Sequence, residues 1–348
     1  MRKTLLATLV TLLALPALST RATAQGQGTI YFAYQDKYSV GGDGSGLRKL
    51  PIADSKAAHP SGRSDYVGGR RFQSSLTIGT IPNTSENYGD VTVVDLNGNS
   101  TRVTAFRGPE YVRTTNAGTP RFRWANDSLD DFISFEVWNP AAGAYSLYRA
   151  HVTGTDITTP GFVPLTAGDS RLELIIVSPR SLLYSWNGDG SKLVYRDYVV
   201  PVSGKTDIQM RVHFVAAGTD VSRDPLLIDQ VASGFDLWDS EYSPTAEQVV
   251  TRVVGTDGTK GIISINPLNG QWSWLQKEYK SGQSGLYQLA YPVFSPDGTG
   301  VAFGGNVLRK GSWIPSVLKC PANGGAVSIV IQPPVNVNYV IVPLGWCW

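Results

Sequence analysis

Few groups in this chain could do chemistry, and their spacing limits what each could do. There are three histidines, His59, His151 and His213. His151 and His213 each follow an arginine by two residues, Arg149 and Arg211, across a gap of 62. That repetition predicts equivalent third-strand positions in neighbouring units rather than convergence on one metal, so no metal and no cofactor is expected. Two carboxylate clusters occur. Asp127, Asp130 and Asp131 fit turn chemistry, because Asp caps its own backbone. Asp236, Asp239 and Glu241 fall in a linking segment, where a carboxylate pair could flank a glycosidic bond. If the chain is an enzyme, Asp239, Glu241 and Arg180 are its catalytic candidates. No Ser–His–Asp set follows from spacing alone, since triads are defined by geometry. The two cysteines, Cys320 and Cys347, are expected to pair as a disulfide that ties down the C-terminus; two buried thiols are the alternative.

A second set of residues suits recognition. Arg71, Tyr111, Arg113, Arg180, Trp238, Asp239, Tyr287 and Tyr339 fall in segments that link one β-rich unit to the next. Aromatic and arginine side chains are typical of binding hot spots. They also suit sugar rings and carboxylates. These eight make up the expected ligand-binding face.

The elements that must position them repeat. Tyr291-Pro-Val-Phe-Ser-Pro-Asp-Gly-Thr-Gly-Val-Ala-Phe-Gly304 is strand, tight turn, strand, with Pro fixing φ and Gly accepting a positive φ. Trp186-Asn-Gly-Asp-Gly-Ser-Lys-Leu-Val-Tyr195 is a second copy. Aligning the aromatic residue before each turn gives Phe72, Trp124, Trp186, Tyr242, Phe294 and Trp346, at gaps of 52, 62, 56, 52 and 52 residues. Third strands such as Asp90–Asp95 and Gly261–Ile265 follow, then closing segments Leu47–Leu50, Thr101–Thr104, Phe162–Thr166, Leu226–Ile228, Trp272–Leu275 and Ala326–Ile331. In the first unit, Tyr38–Gly46 is expected to be a Gly-rich loop in place of a third strand. Four strands per ~50 residues is the size of a propeller blade. Trp346 has no β run after it, and Thr29–Tyr34 has no anchor before it. Pairing the two completes one blade and removes exposed edges. The expectation is an all-β, six-bladed β-propeller of four-stranded antiparallel blades, its ring closed by the N- and C-terminal strands.

The aromatic-Ser-Pro-Asp-Gly pattern ending at Gly298, with the Trp186 copy, resembles the repeat of the TolB-like β-propellers. The resemblance covers the chain after residue 24 as a repeat pattern and is sharp in two units. It implies the propeller fold but no particular activity. TolB itself carries an N-terminal domain that has no room here. Oligogalacturonate lyases share the repeat and use clustered histidines with a metal.

Composition bounds the rest. Met1-Arg-Lys3, the apolar run Thr4–Leu18 and Ala22-Thr-Ala24 form a secretory signal peptide over residues 1–24, leaving 25–348 as a single propeller domain. Removing Arg2, Lys3 and Arg21 leaves 27 basic and 28 acidic residues, against 30 and 28 in the whole chain. A nearly neutral protein lacks the electrostatic footprint for nucleic acid. No later run is long enough for a membrane helix. The reading is an exported monomer, periplasmic or extracellular, that binds a protein or carbohydrate without catalysis. The alternative is a polysaccharide-active lyase or glycosidase with its site at the channel mouth.

Overall fold

The computed structural model describes residues 28–34, 36–49, 66–67, 70–74, 78–83, 87–94, 100–112, 122–124, 132–153, 156–157, 159–199, 207–281, 284–332 and 341–347. The expected signal peptide, His59, the Asp127–Asp131 cluster, Arg113 and Tyr339 lie outside them. Among these residues the chain is a propeller-like succession of antiparallel sheets: five of four strands, one of five, and a two-stranded ribbon. In sheet 1, Val342–Cys347 pairs with Thr29–Tyr34, followed by Asp36–Gly41 and Arg48–Lys49. Sheet 2 is Tyr66–Val67, Arg70–Ser74, Val91–Val94 and Ser100–Arg102. Sheet 3 is Phe122–Trp124, Ile133–Asn139, Ala144–Ala150 and Leu172–Ser178. Sheet 4 is Leu183–Trp186, Lys192–Val199, Asp207–Phe214 and Leu226–Asp229. Sheet 5 is Phe235–Tyr242, Val249–Gly255, Lys260–Ile265 and Trp272–Lys277. Sheet 6 adds Tyr279–Ser281 ahead of Ser284–Phe294, Gly300–Arg309, Ser312–Pro321 and Ser328–Ile331. The register in sheet 1 puts Ile30 opposite Trp346.

The core lies between consecutive sheets, which explains the sequence pattern. Successive strand residues point to opposite faces, so a strand buried on both faces needs a nearly continuous apolar run. Val249 and Val253 pack toward sheet 4 with Val194 and Met210, while Val250 packs toward sheet 6 with Phe303 and Leu318. Ala302 and Val317, on the other face of sheet 6, meet Ile30, Phe32 and Trp346 of sheet 1. First strands also touch in succession, from Leu183–Trp186 through Phe235–Tyr242 and Ser284–Phe294 to Val342–Cys347 and Tyr66–Val67.

The turns form as their residues require. Ser295 N–H donates to Gly300 O at 2.8 Å, Asp297 accepts from Thr299 N–H at 3.0 Å, and Gly298 takes φ 68°. Asp43, Asp189 and Asp257 each likewise accept the backbone N–H two residues on.

Four sequence expectations are corrected. Phe72 lies in the second strand of sheet 2, paired with Val93, so it does not match the first-strand aromatics of the other units. Of the run Leu76–Ile81, the described residues 78–81 do not join that ladder; Gly79–Thr80 pairs with Asn87–Tyr88 as a separate ribbon. Phe162–Thr166 contributes only a bridge, Leu165 to Thr104, and the closing strand of sheet 3 is Leu172–Ser178. Tyr38–Gly41 is ladder strand, not loop, because its residues pair across to Thr29–Phe32.

Candidate functional site

On each sheet, the fourth-to-first connections and the second-to-third turns share one side. Tyr111, Arg180, Trp238, Asp239 and Tyr287 of the expected ligand face lie toward that side, whereas Arg71 stands at the opposite end, where the first two strands of sheet 2 join, and the structure sorts them into separate settings. Arg180 sits in the connection from sheet 3 to sheet 4. Buried Glu136 pins that connection, accepting from Ser181 Oγ and Leu182 N–H, both at 2.6 Å. Ser178 Oγ accepts from Arg180 N–H at 3.2 Å. Charge-assisted bonds of this kind hold a loop in one geometry. Arg180 thereby lines a cleft of about 270 Å³ with Leu182, Tyr195, Asp197 and Val199. The cleft offers a guanidinium and a carboxylate above an apolar floor.

Behind the cleft stands a buried polar relay that sequence reasoning did not find. Tyr195 donates its hydroxyl to Asp224 at 3.0 Å, and His213 Nδ1–H donates to the same carboxylate at 3.0 Å. His213 is fully buried, and its Nε2 has no partner among the described residues. Burial first, then the Asp224 charge, pushes the Tyr195 phenol far above its ordinary value, so it stays protonated. A phenol held neutral serves as a hydrogen-bond donor rather than a base.

His151 and His213 are not equivalent. Pairing sets Trp124 to Ile133 and on to Ala150, but Trp186 to Leu193 and on to His213, so His213 matches Ala150. Different loop lengths shift the register by one and expose His151, whose Nε2 meets Glu173 at 3.1 Å. Among the described residues no three His, Cys, Asp or Glu side chains converge where a metal could sit.

Trp238 and Asp239 lie at a bulge in the edge strand Phe235–Tyr242, where the register slips between Leu237 and Ser240. Bulges re-aim side chains, and Trp238 is 43% exposed with the Arg252 guanidinium 5.6 Å from its ring centre. Glu241 instead binds sheet 5 to sheet 6, accepting Phe294 N–H at 3.0 Å. The cleft around Arg180 is lined by neither Asp239 nor Glu241.

Tyr111 is half-buried. Its backbone exchanges hydrogen bonds with Trp138, and its ring lies 5.1 Å from Tyr88. Arg71 pairs with Tyr66 in the ladder of sheet 2. Tyr287, 41% exposed, lines a second cleft of about 340 Å³ at the extended end of sheet 6.

Of the two cysteines expected to pair, the side chain of Cys320 is described and that of Cys347 is not. Cys320 is a free, buried thiol. It packs with Leu318 toward sheet 5, whereas Val342–Cys347 packs on the opposite face with Ala302 and Val317.

No family model matches the chain, and no curated protein does. Among solved structures, a putative TolB from Agrobacterium tumefaciens aligns over 88% of this chain and 89% of its own, at 12% identity and TM-score 0.48. TolB from Acinetobacter baumannii aligns at 14% identity and TM-score 0.47, over 84% of this chain and 64% of its own. An oligogalacturonate lyase in complex with manganese aligns at 13% identity and TM-score 0.46, over 89% and 75%. These neighbours are TolB-like propeller proteins, alike in general fold and distant in sequence.

Proposed function

We infer that this chain is an exported, six-bladed propeller that binds a protein or carbohydrate partner on its connection side without catalysis. Pairing of Thr29–Tyr34 with Val342–Cys347, and the run of touching first strands, support a closed ring. The apolar start of the sequence supports export, and no helix among the described residues is long and apolar enough to cross a membrane.

One observation carries the binding reading. The cleft between sheets 3 and 4 presents Arg180, on a connection that Glu136 holds fixed, beside Asp197 of the strand Lys192–Val199. Preorganised, partly apolar clefts with a few placed polar groups are where ligands dock. The binding reading is supported further by Glu241, which accepts the Phe294 backbone N–H, and by a cleft lining that includes neither Glu241 nor Asp239.

The test is a binding screen against glycans and envelope proteins, followed by Arg180→Ala and Trp238→Ala. Each variant is expected to weaken the identified partner by about 1–2 kcal/mol while leaving the melting temperature unchanged. Turnover of polyuronides or other glycans by the purified protein would establish the enzymatic alternative instead.

A further inference from the structure

Sheet 6 is longer than its neighbours at one end, and the extra length builds a surface that the repeat does not need. Lys280, Gly285, Leu308 and Trp313 are in register across four strands, and Tyr287 and Asn306 pair two residues further along. Residues two apart on a strand share a face, so Lys280, Trp313 and Tyr287 stand on the same one. Gly285 leaves room for the indole: a Cβ there would lie 2.9 Å from Trp313 Cη2. The ring therefore reaches across Leu308 and covers the position beside Lys280. The Tyr287 ring follows, 5.5 Å from Trp313 at 45°. Together with Glu278, Tyr279 and Leu286 these residues line the cleft of about 340 Å³.

The polar groups of this surface point to its ligand. Among the described residues, the Tyr287 hydroxyl, Trp313 Nε1 and Lys280 Nζ have no hydrogen-bond or ion-pair partner. The one carboxylate lining the cleft, Glu278, accepts Leu289 N–H at 3.0 Å. From Lys277 to Trp313 the sequence holds two acids, Glu278 and Asp297, and Asp297 sits in the turn at the other end of the sheet. Lys280 is exposed, and Lys310 stands in the turn between Arg309 and Ser312. The surface thus offers aromatic faces, unpartnered donors and a small excess of positive charge, Lys280 and Lys310 against Glu278. Its complement is a ring with apolar C–H faces, a rim of acceptors and a negative charge.

We propose that the Trp313–Tyr287–Lys280 face binds an acidic oligosaccharide. The pyranose ring stacks on the indole and phenol. Its carboxylate or sulfate meets Lys280. This rests on the binding reading above, but at a site separate from the Arg180 cleft.

The experiment is titration of the purified protein with an alginate hexasaccharide and with its carboxyl-reduced, neutral counterpart, followed by tryptophan fluorescence at two salt concentrations. The acidic hexamer is expected to bind about tenfold or more tighter than the neutral one, and to weaken as salt rises. Trp313→Ala is expected to weaken both by about tenfold. Lys280→Glu, at an exposed position that does not threaten folding, removes only the advantage of the acidic form. Arg180→Ala is expected to leave both unchanged. Absence of binding by the acidic hexamer, equal affinity for the two, or indifference to Lys280→Glu would overturn the proposal. Binding that is lost in Arg180→Ala and kept in Lys280→Glu would overturn it while sparing the binding reading. Capture of a proline-rich peptide with no saccharide binding would do the same.

Discussion

At the scale of single residues, chemistry follows burial and local hydrogen bonds. Burial pushes the Cys320 thiol up to about 12, so little thiolate exists near neutral pH. In the unaltered protein, iodoacetamide is expected to leave Cys320 unmodified in buffer and to alkylate it fully in denaturant without reductant. Mass spectrometry reads both states, and a blocked thiol in denaturant would contradict the free cysteine. Asp189 behaves in the opposite sense. The Ser191 hydroxyl, then its backbone N–H, hold the Asp189 carboxyl below its ordinary value. A depressed carboxyl adds stability above the unfolded-state pKa of about 3.9 and loses it as pH falls through the folded value. Urea midpoints at pH 7 and pH 3 should therefore differ less for Asp189→Ala than for the unaltered protein. Equal differences would mean that the turn bonds contribute nothing in solution.

At the scale of elements, adjacent sheets are fitted to each other through backbone, which the sequence reveals only in part. A Cβ on Gly188 would lie 1.6 Å from Pro244 O, so the first turn of sheet 4 sits directly against that of sheet 5. Gly188→Ala is expected to cost about 2–4 kcal/mol, because neither backbone can yield without moving its strand. Denaturant unfolding measures it, and a cost under ~0.5 kcal/mol would show the contact to be loose. Glu136→Ala is expected to cost about 2–3 kcal/mol through two lost bonds to a buried carboxylate, and to reduce binding at Arg180 as the connection loosens. The turns were legible because Asp-Gly-Ser/Thr has few other uses: Asp43, Asp189, Asp257 and Asp297 all make it. The aromatic anchors were legible in five units. Phe72 misled because Gly79–Thr80 and Asn87–Tyr88 insert a ribbon within sheet 2, so that counting from the aromatic picked the wrong strand. The His151–His213 spacing misled for a related reason, since equal totals can hide unequal turns. Residue type alone nominates Arg180, Trp238 and Tyr287 as candidates, but Trp313 and the Tyr195–Asp224–His213 relay depend on register and on long-range pairing that spacing does not encode.

At the scale of the whole molecule, one sheet depends on both ends of the chain. Thr29 pairs with Cys347 and Ile30 with Trp346, and Trp346, Phe32 and Ile30 are each no more than 1% exposed. Removing residues 342–348 strips the strand that covers Thr29–Tyr34 and also uncovers the face of sheet 6 carrying Ala302 and Val317. The loss of the Trp346 side chain alone is worth about 3–5 kcal/mol, a large share of a typical domain's 5–15 kcal/mol. The truncated chain is therefore expected to unfold well below the full chain in urea and to associate through its bare edge. A circular permutant separates closure from mere length. Because Thr29 lies opposite Cys347, Gln25–Gly28 can serve as the hairpin turn when Trp348 is joined to Gln25. New ends opened within the exposed stretch Ala216–Asp220 cut no ladder. This permutant keeps every strand and every pairing, so it should fold with a urea midpoint at or above that of the parent, since the covalent link removes the fraying of two termini. A truncation that leaves the midpoint unchanged would show that the molecule is held by its sheet-to-sheet packing and not by the joining of its ends, and a permutant that fails to fold would show that the two terminal strands do not end side by side.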